Sequence, residues 1–209
     1  MAQEFAYLII GNPWAGKTLA TALLADFIGV ASGSTDSIVY EELAKERGVP
    51  RWSLEASAKE SLRPDLVRVG NALCDQDPAA LVSPLLARGA RVIDGIRRRF
   101  ELKAARQAAR ASGLIPVVVW VDRCSAVKDN TDVMRSDADY VISNRDTVGH
   151  LAKMIAEFAG EFSVPSVATM ENPAIGMPRI DVDWEDGMPP SEKSDEPPSF
   201  EGFGNIGDD

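Results

Sequence analysis

A chain of 209 residues that is 45 % hydrophobic can bury one full core with a tail or small lid to spare, which makes a single catalytic domain the expectation. Its formal charge of −10 is unevenly placed, since residues 165–209 hold 11 Asp and Glu against 2 Lys and Arg, a net of −9 that leaves about −1 for residues 1–164. Composition excludes several classes: no apolar run reaches the roughly 18 residues of a membrane span, and Met1-Ala-Gln-Glu lacks the basic start of a signal peptide. Two distant cysteines, Cys74 and Cys124, with the single histidine His150, argue against a zinc site and for free thiols in a reducing, cytoplasmic setting.

The first apolar run, Phe5 to Ile10, fits a strand buried on both faces of a parallel sheet. It stops at Gly11-Asn12-Pro13-Trp14-Ala15-Gly16-Lys17-Thr18, which is GxxxxGKT, the phosphate-binding loop. Gly11 and Gly16 let backbone N–H groups approach phosphate oxygens, Lys17 follows the β- and γ-phosphates, and the Thr18 hydroxyl is placed to ligate Mg²⁺. A helix that begins around Gly16 and runs over Leu19 to Ile28, stopped by Gly29, aims its positive end at the same anion. All eight loop residues are therefore expected to bind the cofactor, ATP.

ASGSTDS follows and reads as a loop of small and hydroxyl residues before a helix that Thr35, Asp36 or Ser37 caps and Gly48 and Pro50 end. Two roles are open to Asp36: a helix cap, or a carboxylate that serves an acceptor as base or hydrogen-bond partner. Residues 51–89 read as helical pieces, with Pro64 near one start, Asp77-Pro78 capping another and Gly89 closing it. Arg63 and Arg68 lie near the first of these starts, where a guanidinium could hold an acceptor phosphate, Arg63 being the better placed.

Arg91-Val92-Ile93 reads as a strand that ends in Asp94 and is followed at once by a helix. A carboxylate at the end of a parallel strand lies in the ligand crevice, so Asp94 is the candidate carboxylate for Mg²⁺ and its waters; a helix-cap role is also open to it. Arg97, Arg98 and Arg99 open that helix, an unfavourable place for cations. That conflict points to phosphate contacts, with Arg97 nearest the crevice. Leu114 to Val121 is the most strand-like run and delivers Asp122 and Arg123 to the same edge. Cys124 to Asp137 is either a lid carrying Lys128 or Arg135, or an ordinary loop. Tyr140 to Ile142 gives a last strand, followed by Asn144 and a helix on which His150 has a structural or exposed place. From Pro165, where 7 of the 13 prolines fall, an acidic tail is expected to be disordered. Its Trp184, Phe200 and Phe203 suit docking onto a protein partner as well as mere solvation. The domain boundaries are thus 1–164 and 165–209.

The alternation of strands and helices describes a kinase-type P-loop α/β fold, a parallel sheet flanked by helices. The order RPDLVRVGNALCDQDP, RGARVIDGIRRRFELKAA, VDR and DADYVISNRDT resembles the phage deoxynucleoside monophosphate kinase group of P-loop kinases. Asp94, Arg97 and Glu101 match that group's Asp-x-Val-Arg-Phe-Pro-Asn-Glu, with Arg98, Arg99 and Phe100 in place of Phe-Pro-Asn; Asp139, Val141, Ile142 and Asn144 match its Asp-x-Val-Ile-x-Asn. The resemblance spans about residues 5 to 160 and places Asn144 with the cofactor-binding residues. Gly-Lys-Thr here departs from the group's common Gly-Lys-Asp. A related group of phage kinases phosphorylates 5-hydroxymethyluracil within DNA, during thymine hypermodification. A monophosphate acceptor needs arginines and no base, whereas a hydroxymethyl group gains from a carboxylate. The resemblance therefore implies a phage enzyme working in the host cytoplasm, with modified DNA or a deoxynucleotide as acceptor. Lys17, Asp36, Asp94 and Arg97 are its catalytic set; Asp36, Arg63, Arg68, Arg98 and Arg123 face the substrate; Thr18 and Asp94 bind metal. The hydroxymethyluracil reading is preferred over the monophosphate one, and a nucleotide-hydrolysing switch that recruits a partner is the third alternative.

Overall fold

The computed structural model describes residues 4–123, 131–144 and 147–162. The chain divides into two units, Met1–Ser166 and Val167–Asp209, and every described residue belongs to the first. The expected acidic tail, Cys124 and Lys128 lie outside the described residues.

Five parallel strands form one sheet: β1 (Phe5–Ile10), β2 (Ala31–Ser34), β3 (Ala90–Asp94), β4 (Ile115–Asp122) and β5 (Tyr140–Ser143), in the spatial order β2-β3-β1-β4-β5. The helices are α1 (Lys17–Ile28), α2 (Thr35–Arg47), α3 (Arg51–Glu55), α4 (Lys59–Gln76), α5 (Ser83–Ala87), α6 (Arg99–Ala111) and α7 (Val148–Phe162). Alternate residues of a strand point to opposite faces, and β1 divides accordingly. Ala6, Leu8 and Ile10 join the core formed with α2, α4, α5 and α6, while Tyr7 and Ile9 join the one formed with α1 and α7. Both faces are covered, which is why β1 and β4 read as continuous apolar runs. The second core ends in an aromatic cluster in which Tyr7 and Phe158 meet edge to face at 5.8 Å, and burial pushes the Tyr7 phenol up to about 12. In the first core, Cys74 is a buried free thiol, pushed up to about 12 by burial and then by the nearby Glu101 carboxylate.

Three expectations change. Residues 31–34 form strand β2, not a loop. ASGS has no β-branched apolar residue to announce it; its strand character comes from backbone pairing with β3, Gly33 opposite Ile93 and Ser34 opposite Asp94. A Cβ on Gly33 would lie 3.0 Å from Leu85 Cδ2, so the small side chains let α5 rest on this edge. Pro64 lies inside α4, well past its first residue Lys59. It is exposed, so the carbonyl that loses its helical partner can be hydrated. Finally, α6 does not follow β3 at once: residues 95–97 are irregular, Arg98 is the N-cap and only Arg99 lies inside the helix.

Asp139, one of the motif residues, joins β5 to β4. Its backbone N–H donates to Val118 O at 2.8 Å and its carboxylate accepts the Val118 N–H at 2.8 Å, while Arg106 Nη2 lies 3.2 Å from both carboxylate oxygens. Asp139→Ala leaves a sheet N–H unpaired and should lower stability by about 1–2 kcal/mol. Chemical denaturation should show that loss, with nucleotide affinity unchanged in the folded protein.

Candidate active site

The GxxxxGKT loop lies at the carboxyl end of β1, the strand on whose two sides the chain winds in different directions, which is the crevice position of open α/β sheets. Two glycines are dictated by close approach. A Cβ on Gly11 would lie 2.6 Å from Val121 O, and one on Gly16, at φ 86°, would run into Asn144 Nδ2. Helix α1 begins at Lys17 with Gly16 as its N-cap, as expected of a helix that starts around Gly16, so its first turn belongs to the loop. The Lys17 ammonium donates to Gly11 O at 3.0 Å and Asn12 O at 2.7 Å, folded back onto the loop. Asn12 O also accepts the Ala15 N–H at 3.2 Å, and Pro13 lies half-buried between them.

Asn144 sits behind this loop rather than in front of it. Its side-chain N–H donates to Ala15 O at 2.7 Å and its backbone N–H to Asp122 O at 2.8 Å, and the residue is buried. The amide is thus committed to bracing the loop against the end of β4. Arg123 extends from the same strand end, with Nη1 3.5 Å from Trp14 O.

Asp94 is 2 % exposed, and among the described residues neither its Oδ1 nor Thr21 Oγ1 has a hydrogen-bond partner. With the α6 cap at Arg98, Asp94 is not that helix's cap. Both residues line a cavity of about 420 Å³ together with Thr18, Ser32, Ser34 and Ser37. A buried, unpartnered carboxylate among hydroxyls is costly unless something completes its bonding. The oxygen donors suit a hard cation such as Mg²⁺, which keeps waters and takes phosphate oxygens as its remaining ligands. Among the described residues no cluster of three or more His, Cys, Asp or Glu could hold a metal.

A second cavity, of about 240 Å³, lies among the start of α2, α4 and the segment between β3 and α6. It gathers Asp36, Arg63, Arg97 and Arg98, with Lys59 and Asn71 added, over apolar walls from Val39, Leu66, Val67 and Leu81. The cap of α2 is Ser34, with no side-chain hydrogen bond, so Asp36 falls in the first turn. Its carboxylate meets Lys59 Nζ at 2.6 Å and Arg97 Nη2 at 3.5 Å. Arg68 does not reach this cavity; it pairs with Glu46 at 2.6 Å and Asp65 at 3.7 Å. Arg123 is likewise outside its lining, on the loop side.

The arginine triplet finds protein anions. Glu101 Oε2 accepts the N–H groups of Arg97 at 3.1 Å and Arg98 at 3.3 Å, Arg98 Nη2 donates to Asn71 Oδ1, and Arg99 pairs with Asp137 at 2.9 Å while its N–H donates to Asp132 at 2.7 Å. These carboxylates answer the helix-end conflict without any phosphate. Lys59, Thr35, Asn71 and Glu101 were not singled out from the sequence as site residues. Two signals were available: the motif match of Glu101, and Gly70-Asn71 inside a helix, since both are poor helix formers.

No family model and no curated protein matches the chain. Among solved structures, a gluconokinase from Sinorhizobium meliloti is similar at 10 % identity over 77 % of this chain and 94 % of that one, with a TM-score of 0.47. The Mycobacterium tuberculosis APS kinase CysC in complex with AMPPNP and APS is similar at 10 % identity over 77 % and 99 %, TM-score 0.46. A sugar kinase from a Janibacter species gives 13 % over 76 % and 94 %, TM-score 0.41.

Trp14 is the one non-glycine residue with positive φ among the described residues, at 62°, and it is 72 % exposed. A bulky side chain in that region costs about 1–2 kcal/mol, and little packing offsets it here. Trp14→Gly should therefore raise the melting temperature; an unchanged or lowered one would mean that the indole supports the fold.

Proposed function

We propose that the protein is an ATP-dependent phosphotransferase that carries the γ-phosphate to the hydroxymethyl group of 5-hydroxymethyluracil in DNA. One observation supports this most: the segment Asp94–Arg98 lines both cavities, Asp94 the hydroxyl-rich one beside Thr18, and Gly95, Arg97 and Arg98 the one that holds Asp36. A donor site and an acceptor site that share one segment can bring a γ-phosphate and a hydroxyl together. Gly95, at φ 93°, allows the arrangement, because a Cβ there would collide with Thr35 Oγ1.

In this reading the loop N–H groups and Lys17 hold the phosphates. Thr18 and Asp94, which line the same cavity, would hold Mg²⁺, whose chemistry there would be to neutralise charge on the phosphate oxygens. Asp36 accepts a hydrogen bond from the acceptor hydroxyl and takes its proton as the new O–P bond forms and the bond to the β–γ bridging oxygen breaks. Arg97, already beside Asp36, turns to the phosphoryl oxygens and neutralises the charge that develops there.

A deoxynucleoside monophosphate acceptor is the second reading. It is favoured by the cations of the acceptor cavity, Lys59, Arg63, Arg97 and Arg98, which suit a phosphate. The cavity cations are themselves paired, Lys59 and Arg97 with Asp36 and Arg63 with Glu60 at 2.8 Å, as Arg47, Arg68 and Arg88 are with other carboxylates, so a phosphate in either reading has to displace these partners. A base turned out of the strand needs few such contacts.

Incubation with γ-labelled ATP and, separately, hydroxymethyluracil DNA, ordinary DNA and deoxynucleoside monophosphates divides the readings. Lys17→Ala should cut transfer by about 100-fold or more with the fold intact; full turnover would remove the loop from the mechanism. Asp36→Asn should lower the rate on a hydroxymethyl acceptor by about 100-fold or more. A monophosphate kinase would instead show the change mainly in acceptor KM.

A further inference from the structure

We infer that Lys59 is a positioning residue for the transfer: it fixes the Asp36 carboxylate so that one oxygen, Oδ1, is left for the acceptor hydroxyl. The inference rests on the reading of the 240 Å³ cavity as the site of a hydroxyl acceptor. Lys59 lines that cavity and is the first residue of α4, whose N-cap, Ala58, makes no side-chain hydrogen bond. A cation at a helix start is disfavoured by the helix dipole, so the lysine does not serve its own helix. Its Nζ donates to Asp36 Oδ2 at 2.6 Å, with the two side chains 54 % and 34 % exposed. An ion pair this open to solvent adds little to folding stability. What the pair does is hold a carboxylate in one orientation.

The main chain at Asp36 is already fixed, because the preceding Thr35 is buried and packs against Gly95. The freedom that remains is rotation of the Asp36 side chain. Its two oxygens are shared between cations from different elements: Oδ2 belongs to Lys59 of α4, and Oδ1 lies 3.5 Å from Arg97 Nη2 of the β3–α6 segment. The Lys59 contact is the shorter, and the Arg97 contact is the one that opens. When Arg97 turns to the phosphoryl oxygens, Oδ1 accepts the hydrogen bond of the acceptor hydroxyl and then its proton, as the new O–P bond forms and the bond to the β–γ bridging oxygen breaks. Without Lys59, the Arg97 guanidinium is free to take both Asp36 oxygens in a bidentate pair. That pairing would withdraw the base and the phosphoryl-binding arginine from the reaction together. Lys59 thus acts through Asp36, and touches neither hydroxyl nor phosphate.

The test measures kcat and KM for full-length protein and its variants with ATP and an oligonucleotide that carries a single 5-hydroxymethyluracil. Lys59→Met, which keeps the length and drops the charge, should lower kcat by about tenfold or more, with KM for ATP and for the oligonucleotide within about twofold of the original. Lys59→Arg, which keeps the charge, should recover most of the loss. In the Asp36→Asn background, Lys59→Met should cost nothing further, because the group it positions is already gone. If the methionine variant fails to fold, Lys59→Gln reads the same quantities. A raised oligonucleotide KM at unchanged kcat would make Lys59 a direct ligand of the acceptor and overturn the inference. So would an unchanged kcat, or a loss of the same size in the Asp36→Asn background. Full activity of Asp36→Asn, or no label on the oligonucleotide with the unaltered protein, overturns the hydroxyl-acceptor reading and this inference with it.

Discussion

The architecture depends on how tightly the GxxxxGKT loop is held to the end of the sheet. Gly11 lets β1 pass under Val121, and Asn144 ties Ala15 to the end of β4 from behind. A phosphate-binding loop works by presenting backbone N–H groups in a fixed concavity, so its rigidity is a condition of binding. Here that rigidity is supplied by residues far along the chain. The loop's own sequence sets its shape, but the ends of β4 and β5 keep it there.

The same economy governs the segment after β3. Asp94 ends a buried strand with an unpartnered carboxylate oxygen, Gly95 turns the backbone past Thr35, and Arg97 and Arg98 carry their charges into the neighbouring cavity. Glu101 fastens this segment by accepting two of its N–H groups. Glu101, which is buried, and the Asp36, Asp132 and Asp137 carboxylates offset the repulsion between three arginines near a helix start and the positive end of its dipole. Charge compensation is thus internal, and the arginines remain positioned for a ligand without requiring one to fold.

Much of the donor half was legible in the sequence because it is local: GNPWAGKT contains its own glycines, lysine and hydroxyl, and Asp94 follows a short β-branched run. The second cavity, the proposed acceptor site, was less legible because it is assembled from α2, α4 and the β3–α6 segment. Asp36 could be seen as a carboxylate but not as the partner of Lys59 and Arg97, which are distant in sequence. Arg63 and Arg68 look alike on paper; only the helix phase of α4 sends one to the cavity and the other to Glu46. Strand β2 was invisible for a different reason, since its side chains carry no strand preference and its conformation is imposed by pairing with β3.

In the proposed function, one segment couples a nucleotide donor site to a hydroxyl acceptor held by Asp36. The most direct measurement is where the label from γ-labelled ATP resides after reaction with an oligonucleotide that contains a single 5-hydroxymethyluracil. Label is expected on the base hydroxymethyl oxygen, lost with Asp36→Asn. Label released only as inorganic phosphate, or carried only by free deoxynucleotides, would contradict it.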